Sequence, residues 1–528
     1  MTRRQILLVG PWDRSSPRPG QYAAPPLGVH RLAGYCRLRS EFEVDVDVID
    51  PALTGTRAFV RSLRARSPAL VGISTLAPTL QADLQLVELT RRFAPASLVV
   101  LGGQGVAGLE SLLVEEGGAD LVVRGFGEEA LVTLAGLLGP VGRRGILADS
   151  RLSDIPNLTI RESEGKSCQT RPALVPANLF RLANEAIDFA SIPYPLYWEV
   201  NRRRYPPEHV RIMRNERLLN TIRLITQSHC PLGCNYCSST RFLDVVEGRR
   251  QTVLMQDPEE TVSTMERALA AHPETTSFYL NDDDFVLRRP RALEFARLVV
   301  KRFGAGRLSF ICMTRVDHVD EEMARELAGA GFRLIFLGVE TFSAGTLAAM
   351  EKHLHHRGDY TSLARQAVLT LLEAGIVPQI GLIPFYPAVH EEDLLVTIEN
   401  AVDLVGRGAR LSIFPMTDAY PGASLFKSSY RVSTQEIRVG RQKLCLPVHF
   451  LPEDPAMQDL AARAIDEHRR LRTVRRADVM PQPADGLYFL RSILSQLGRN
   501  TAEVDRVLGE LESQHGGLPR SPLQYMNA

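Results

Sequence analysis

An alternation of short apolar runs with longer amphipathic stretches, repeated in two blocks, constrains this chain more than any other feature of its sequence. A strand buried on both faces reads as a short continuous apolar run, and parallel neighbours need a crossover between them. In the first block, residues 6–9, 44–49, 70–74, 98–101 and 121–123 have that character, which predicts a Rossmann-like parallel sheet with crossover helices. The second block runs through residues 222–225, 277–280, 308–313, 334–337, 377–383 and 410–414, and six strands with crossovers fit a partial (β/α)6, TIM-like barrel. Between the blocks the periodicity weakens and prolines recur (Pro156, Pro172, Pro176, Pro193, Pro195, Pro206 and Pro207), the mark of a connection with a few helical turns. After about residue 430 the pattern is mainly helical, as at 456–471 and 486–497. The expected α/β architecture is a sheet domain over 1–148, a connecting segment over 149–215, a barrel over 216–430 and a C-terminal helical region over 431–528. At 528 residues the chain exceeds what one hydrophobic core serves.

Apolar residues make up 45% of the chain and charged residues 23%, the balance of a globular protein and not of a disordered or fibrous one. The formal net charge is +1, so bulk electrostatics calls for neither nucleic acid nor an anionic membrane surface as partner. The basic cluster Arg202, Arg203 and Arg204 reads either as a solvated face or as a contact with an acidic substrate or cofactor phosphate. No run reaches the roughly 18 apolar residues of a membrane span. The run at 6–9 is broken by Gly10 and Asp13 before it could serve as a secretory signal, and a cytoplasmic protein is expected. Seven cysteines, three of them within eight residues, argue against a disulfide framework and for metal chemistry in a reducing compartment.

Those three are Cys230, Cys234 and Cys237, in a loop directly after the first barrel strand. Three thiolates leaving one strand end can hold three corners of a cubane. Iron–sulfur clusters are normally closed by four cysteines, and the lack of a fourth nearby leaves one iron open to the amine and carboxylate of an amino acid. A zinc site is the alternative, with His229 completing a nominal Cys3His set. His229 abuts Cys230, however, and is poorly placed to close a tetrahedron with the other three.

The Cys-x3-Cys-x2-Cys spacing, with Tyr236 before the last cysteine, resembles the signature of the radical S-adenosylmethionine (SAM) superfamily. The resemblance extends over about residues 220–430 through Asn281-Asp-Asp-Asp-Phe285, Gly338-Val-Glu-Thr341 and Tyr420-Pro-Gly-Ala-Ser424. It implies a [4Fe-4S] cluster on Cys230, Cys234 and Cys237, with SAM on the open iron as source of a 5′-deoxyadenosyl radical. It also implies SAM contacts from Tyr236, through its backbone to the adenine, from Arg315 to the carboxylate, and from Glu340 to the ribose or amine. Asp282 and Asp283 stand where many members carry Gly-Gly-Glu against the SAM amine.

In the first block, Leu101-Gly-Gly-Gln-Gly105 and Val122-Val-Arg-Gly-Phe-Gly-Glu-Glu129 follow strands, and glycines there let the backbone approach a bulky ligand. Gly125-x-Gly127-x-x-Ala130 alone also matches a dinucleotide fingerprint with Asp149 near the required spacing, but it falls in the last βα unit and not the first. Together with Pro25-Pro26-Leu27-Gly28 and Gly72-Ile-Ser-Thr75, these segments resemble the cobalamin-binding domain that precedes the barrel in one branch of the superfamily. That resemblance implies cobalamin contacts from Ser74, Thr75, Gly102, Gly103, Gln104, Gly125, Gly127 and Glu128. The Asp-x-His-x-x-Gly motif that supplies an axial histidine elsewhere is absent, so cobalt is expected to carry no protein histidine. A domain that kept the fold and lost the cofactor is the alternative.

The trio His353, His355 and His356 reads as surface, Cys36 and Cys312 as core, and Cys168 and Cys445 as open, including as a hydrogen donor or an extra cluster ligand. The resemblance to class B radical SAM methyltransferases implies methylation of an unactivated carbon of a small-molecule or peptide natural-product precursor, with a reducing partner such as flavodoxin or ferredoxin. Cyclisation, rearrangement or oxidation, with or without cobalamin, shares every motif named, and a non-enzymatic metal-binding protein is the reading from a different class.

Overall fold

A computed structural model describes residues 4–12, 23–139, 142–162, 165–204, 218–239, 243, 250–352, 359–439, 442–474 and 482–514. The first sheet has the order β2-β1-β3-β4-β5-β6-β7, from β1 (Arg4–Val9), β2 (Val44–Ile49), β3 (Leu70–Ser74), β4 (Leu98–Gly102), β5 (Leu121–Val123), β6 (Leu158–Arg161) and β7 (Ser167–Gln169). β1 to β5 pair in parallel, as their apolar runs predict, and bury a core on each face. β6 and β7 are antiparallel additions contributed by the expected connecting segment. Strands of four and three residues carry no readable period, which is why the sequence reads there only as a connection.

The rest of that segment wedges between the two α/β units. Tyr197 donates its hydroxyl to Asp50 at 2.6 Å, Trp198 Nε1 donates to the Thr221 carbonyl at 3.1 Å, and Asn201 exchanges two hydrogen bonds with the backbone of Ala23. Arg202 donates to Asn220 at 2.7 Å and Arg203 pairs with Glu199, so both are engaged on the protein's own exposed surface.

The second sheet runs β13-β12-β11-β10-β9-β8, in strict sequence order and parallel throughout. Its strands are β8 (Thr221–Leu224), β9 (Ser277–Leu280), β10 (Ser309–Arg315), β11 (Phe332–Glu340), β12 (Val377–Leu382) and β13 (Arg410–Ile413). This is the expected partial barrel. Its crossover helices begin on side-chain caps: Asp257 and Glu260 form a reciprocal capping box at Pro258–Ala271, and Asp320 caps Glu321–Ala330, each cap contributing about 1 kcal/mol. Cys312 lies on the outer, core-facing side of β10 with Phe310, and Cys36 lies in the core of the first unit, both as expected.

One element departs from the helical expectation for the C-terminal region. Before the helices Pro455–Val474, Gln482–Gln496 and Ala502–Gln514, the strands β14 (Val432–Val439) and β15 (Gln442–Phe450) form an antiparallel pair. Its two ends sit in different cores. Ile437, Val439, Leu444 and Leu446 pack with Leu7, Val71 and Leu84 of the first unit, whereas Phe450 and Val432 pack with Tyr386 and Leu425 at the barrel mouth. Among the described residues no helix is long and apolar enough to cross a membrane.

Candidate functional site

β8 ends at Leu224 and the chain enters the cysteine loop. Gly233 takes a left-handed φ of 70° between Cys230 and Cys234, a turn that costs a side-chain-bearing residue strain. Asn235, which the sequence reading missed, fastens the loop's middle. Its amide nitrogen donates to the Ala349 carbonyl at 2.8 Å, its backbone N–H to Met350 at 3.2 Å, and its carbonyl accepts from Leu425 N–H at 2.8 Å.

The three thiols lie close enough to feel one another's charge, and burial pushes Cys230 and Cys237 up to about 12. Three cysteine sulfurs brought together on one loop are a donor set that fits an iron–sulfur cluster. Among the described residues no three His, Cys, Asp or Glu side chains converge on a single ion. A cubane has no need of that convergence, because each thiolate takes a separate iron.

Around Cys234 the structure gathers three of the expected SAM residues. Arg315, at the end of β10, and Glu340, at the end of β11, both act electrostatically on that thiol, and Tyr236 hydrogen-bonds to it. Glu340 adopts a left-handed φ of 68° where the β11–β12 register shifts, which turns its side chain out of the strand pattern. Three partners were not foreseen. Lys352 is buried and donates to Glu340 at 2.9 Å; Asp317 accepts both guanidinium arms of Arg315 at 2.9 and 3.0 Å; Tyr360 donates to the Val339 carbonyl at 2.5 Å. Lys352 and Asp317 belong to no motif, and only the fold brings them here. The trio His353, His355 and His356 lies outside the described residues.

Asp282 does not join this group. It is 1% exposed, and its carboxylate is taken by Thr226 N–H at 2.7 Å, Gln227 N–H at 2.9 Å and the Thr226 hydroxyl. Desolvation raises its carboxyl to about 6. The carboxylate faces the protein's own donors and not solvent. Asp283 opens to solvent but accepts from the Ser239 hydroxyl and from Cys230 N–H.

In the first unit, Ser74, Gly102, Gly103, Gln104, Gly125 and Gly127 lie together at the carboxyl ends of β3, β4 and β5, where open α/β sheets bind ligands. Gly103 (φ 91°) passes so close to Thr75 that an added Cβ would meet the Thr75 carbonyl oxygen at 2.4 Å. Two expected contacts turn inward instead. Thr75 is fully buried and bonds Gly102 O through both its N–H and its hydroxyl, at 2.8 and 2.9 Å. Glu128 is buried in an ion pair with Arg31, at 2.5 Å.

That pair continues across the molecule. Arg31, flanked by the rings of Phe126 and Phe180 at 5.0 and 5.1 Å, donates to Asn184 at 3.4 Å, and Asn184 donates to the Ile225 carbonyl at 3.0 Å, just before the cysteine loop. The only histidine in residues 1–148 is His30, buried on the helix Leu27–Arg39. The strand-end edge thus fits a corrinoid that takes no histidine.

The two halves of the site meet at a small cleft. Gln104, Gly105 and Leu109 form one wall, and Ser238, next to Cys237, forms the other with Tyr420 and Pro421. Gly108 (φ 76°) allows the walls to close together, since a Cβ there would meet Pro421 at 2.8 Å. Cys168 lies on edge strand β7, and Cys445 is exposed on β15 opposite Glu436.

Two family models match the chain: the B12 binding domain over residues 20–135 and the Radical SAM superfamily over residues 224–401. The protein is a radical SAM enzyme with an N-terminal B12-binding domain, and the cofactors of those domains are a [4Fe-4S] cluster, SAM and cobalamin. Among solved structures it is similar to the radical SAM methyltransferase TsrM from Kitasatospora setae with tryptophan substrate and the SAM analog aza-SAM bound. That likeness has 17% identity and a TM-score of 0.64, covering 97% of this chain and 99% of that one. The cobalamin-dependent SAM radical enzyme OxsB, with aqua-cobalamin and SAM bound, matches at 15% identity and a TM-score of 0.60, covering 98% of this chain and 76% of that one. Both likenesses establish the fold. No functionally curated protein sequence matches the chain.

Proposed function

We propose that the enzyme methylates an unactivated carbon of a small-molecule or peptide natural-product precursor. The observation that carries this reading is the cleft itself, in which Ser238, beside a cluster cysteine, stands across from Gln104 and Gly105 of the B12-binding edge. SAM on the cluster supplies a hydrogen-abstracting radical and cobalamin supplies a methyl group, while the protein orients both. Under this reading Arg315, Glu340 and Tyr236 hold SAM beside Cys234. The Ser74, Gly102, Gly103, Gln104, Gly125 and Gly127 edge holds the corrinoid, and Tyr420 and Pro421 close the cleft. A reducing partner such as flavodoxin or ferredoxin supplies the electrons. Because the TsrM structure contains tryptophan as substrate, indole-bearing small molecules head the substrate screen.

The test is turnover with SAM carrying a deuterated methyl group. One SAM yields the radical and a second restores the methyl donor, so 5′-deoxyadenosine and S-adenosylhomocysteine should form in about equal amounts, with the label in the product. Product formed with 5′-deoxyadenosine alone and without label refutes methyl transfer in favour of cyclisation, rearrangement or oxidation.

A further inference from the structure

We propose that the consecutive carboxylates of Asp282 and Asp283 are positioning residues that staple both flanks of the cysteine loop to the end of β9, and that neither is a ligand of SAM. The proposal rests on the [4Fe-4S] reading of the loop.

Where β9 ends, successive side chains point in different directions, so three adjacent aspartates can reach three different segments. Asp282 takes the entry of the cysteine loop, through the N–H groups of Thr226 and Gln227 and the Thr226 hydroxyl. Asp283 takes the cysteines themselves at both limits, accepting from Cys230 N–H and from the hydroxyl of Ser239, two residues beyond Cys237. Asp284, fully buried, takes the next strand instead, accepting from the Thr314 hydroxyl at 2.8 Å with His318 Nδ1 at 3.1 Å, beside the Arg315–Asp317 pair.

Arg291 completes the Asp282 staple. Its guanidinium donates to the Thr226 hydroxyl at 2.5 Å and to the Gln256 carbonyl at 2.8 Å, setting a countercharge near the buried carboxylate. The loop between Leu224 and Ser239 has no helix or strand of its own. Backbone bonds hold it at Thr226 and Ser228, bridged to residues 254–256, and at Asn235; the carboxylates add side-chain bonds to these, and bonds to an ionised carboxylate are roughly twice as strong as neutral ones. Removing an outer partner of a metal ligand, as Asp283 is to Cys230, typically weakens metal affinity about 10–100-fold.

The experiment compares wild type with Asp282→Ala, Asp282→Asn, Asp283→Ala and Ser239→Ala after anaerobic cluster reconstitution. It measures the rate of iron loss to a chelator, the electron paramagnetic resonance (EPR) signal of the reduced cluster, SAM affinity per retained cluster, and the melting of the iron-free chain. Asp282→Ala is expected to lose iron faster than wild type and to shift the cluster signal, with SAM affinity per cluster unchanged. Asp282→Asn, which keeps an oxygen for both backbone donors, should recover most of the loss. Ser239→Ala should lose iron faster than wild type but less so than Asp283→Ala.

Wild-type iron loss in Asp282→Ala overturns the proposal, as does weakened SAM binding on an intact cluster. Should Asp282→Ala fail to fold, wild-type rates in both Asp283→Ala and Ser239→Ala overturn it equally. A wild-type chain that takes up no iron refutes the cluster reading itself, an outcome distinct from every variant result.

Discussion

The cysteine loop and the glycine edge face one another across one cleft, yet they are built in opposite ways. The cysteine loop is irregular backbone held by scattered backbone bonds and by side chains, Asp282 and Asp283 at its flanks and Asn235 at its middle. The glycine edge consists of regular strand ends whose turns pack on their own backbone, with Thr75 and Gly103 in direct contact. One half is therefore sensitive to single side chains, and the other to anything that adds bulk or moves a strand. The contrast implies that cluster and corrinoid binding can be broken separately.

The largest expected effect falls on the loop. Cys230→Ala, Cys234→Ala or Cys237→Ala should each abolish SAM cleavage while leaving corrinoid binding in place, measured as 5′-deoxyadenosine formation beside the corrinoid absorbance of the same sample. Loss of both together would dissolve the distinction.

Next come the ties between the halves. Glu128→Gln leaves the buried Arg31 guanidinium without its charge partner and should cost about 3–5 kcal/mol in denaturant unfolding. Leu444→Ala empties the hairpin's anchor in the first unit's core and should cost about 2–5 kcal/mol. An Arg31→Met, Glu128→Met double variant of similar volume should recover much of the first loss, whereas a loss as large as that of Glu128→Gln would argue against a buried-charge origin.

A smaller effect separates the halves by pH. Burial lowers His30 of the first unit from 6.5 to about 4, so its neutral form favours folding and that contribution is lost as pH falls from about 6.5 to about 4. Burial raises Asp282 of the barrel from 3.8 to about 6, so its contribution has the opposite sign, with stability falling as pH rises from about 4 to about 6. His30→Gln should flatten the acid-side loss, and Asp282→Asn should steepen it, in unfolding curves taken across that range. The smallest effect is Cys445→Ser, an exposed substitution expected to stay within about 0.5 kcal/mol and to leave iron content unchanged.

What was legible in the sequence follows the same division. Apolar runs long enough to show their character located β1 to β5 and every barrel strand, and three closely spaced cysteines located the loop. β6, β7 and the β14–β15 hairpin escaped because short or half-polar strands leave no clear period. At the site, Arg315, Glu340 and Tyr236 gather around Cys234. Asp282, Thr75 and Glu128 occupy motif positions but turn inward, since a motif position does not reveal where a carboxylate or hydroxyl finds its donors. Lys352, Asp317 and Asn235 became visible only when the fold brought distant segments together.

At stake is whether a [4Fe-4S] cluster and a histidine-free corrinoid share this chain across one cleft. Metal and corrinoid analysis of the full chain, reconstituted anaerobically with iron, sulfide and cobalamin, tests it most directly. The expected result is about four irons per chain together with one corrinoid, whose cobalt(II) EPR spectrum lacks nitrogen superhyperfine splitting. Stoichiometric zinc without iron, or a nitrogen-split cobalt signal from a protein ligand, would contradict it.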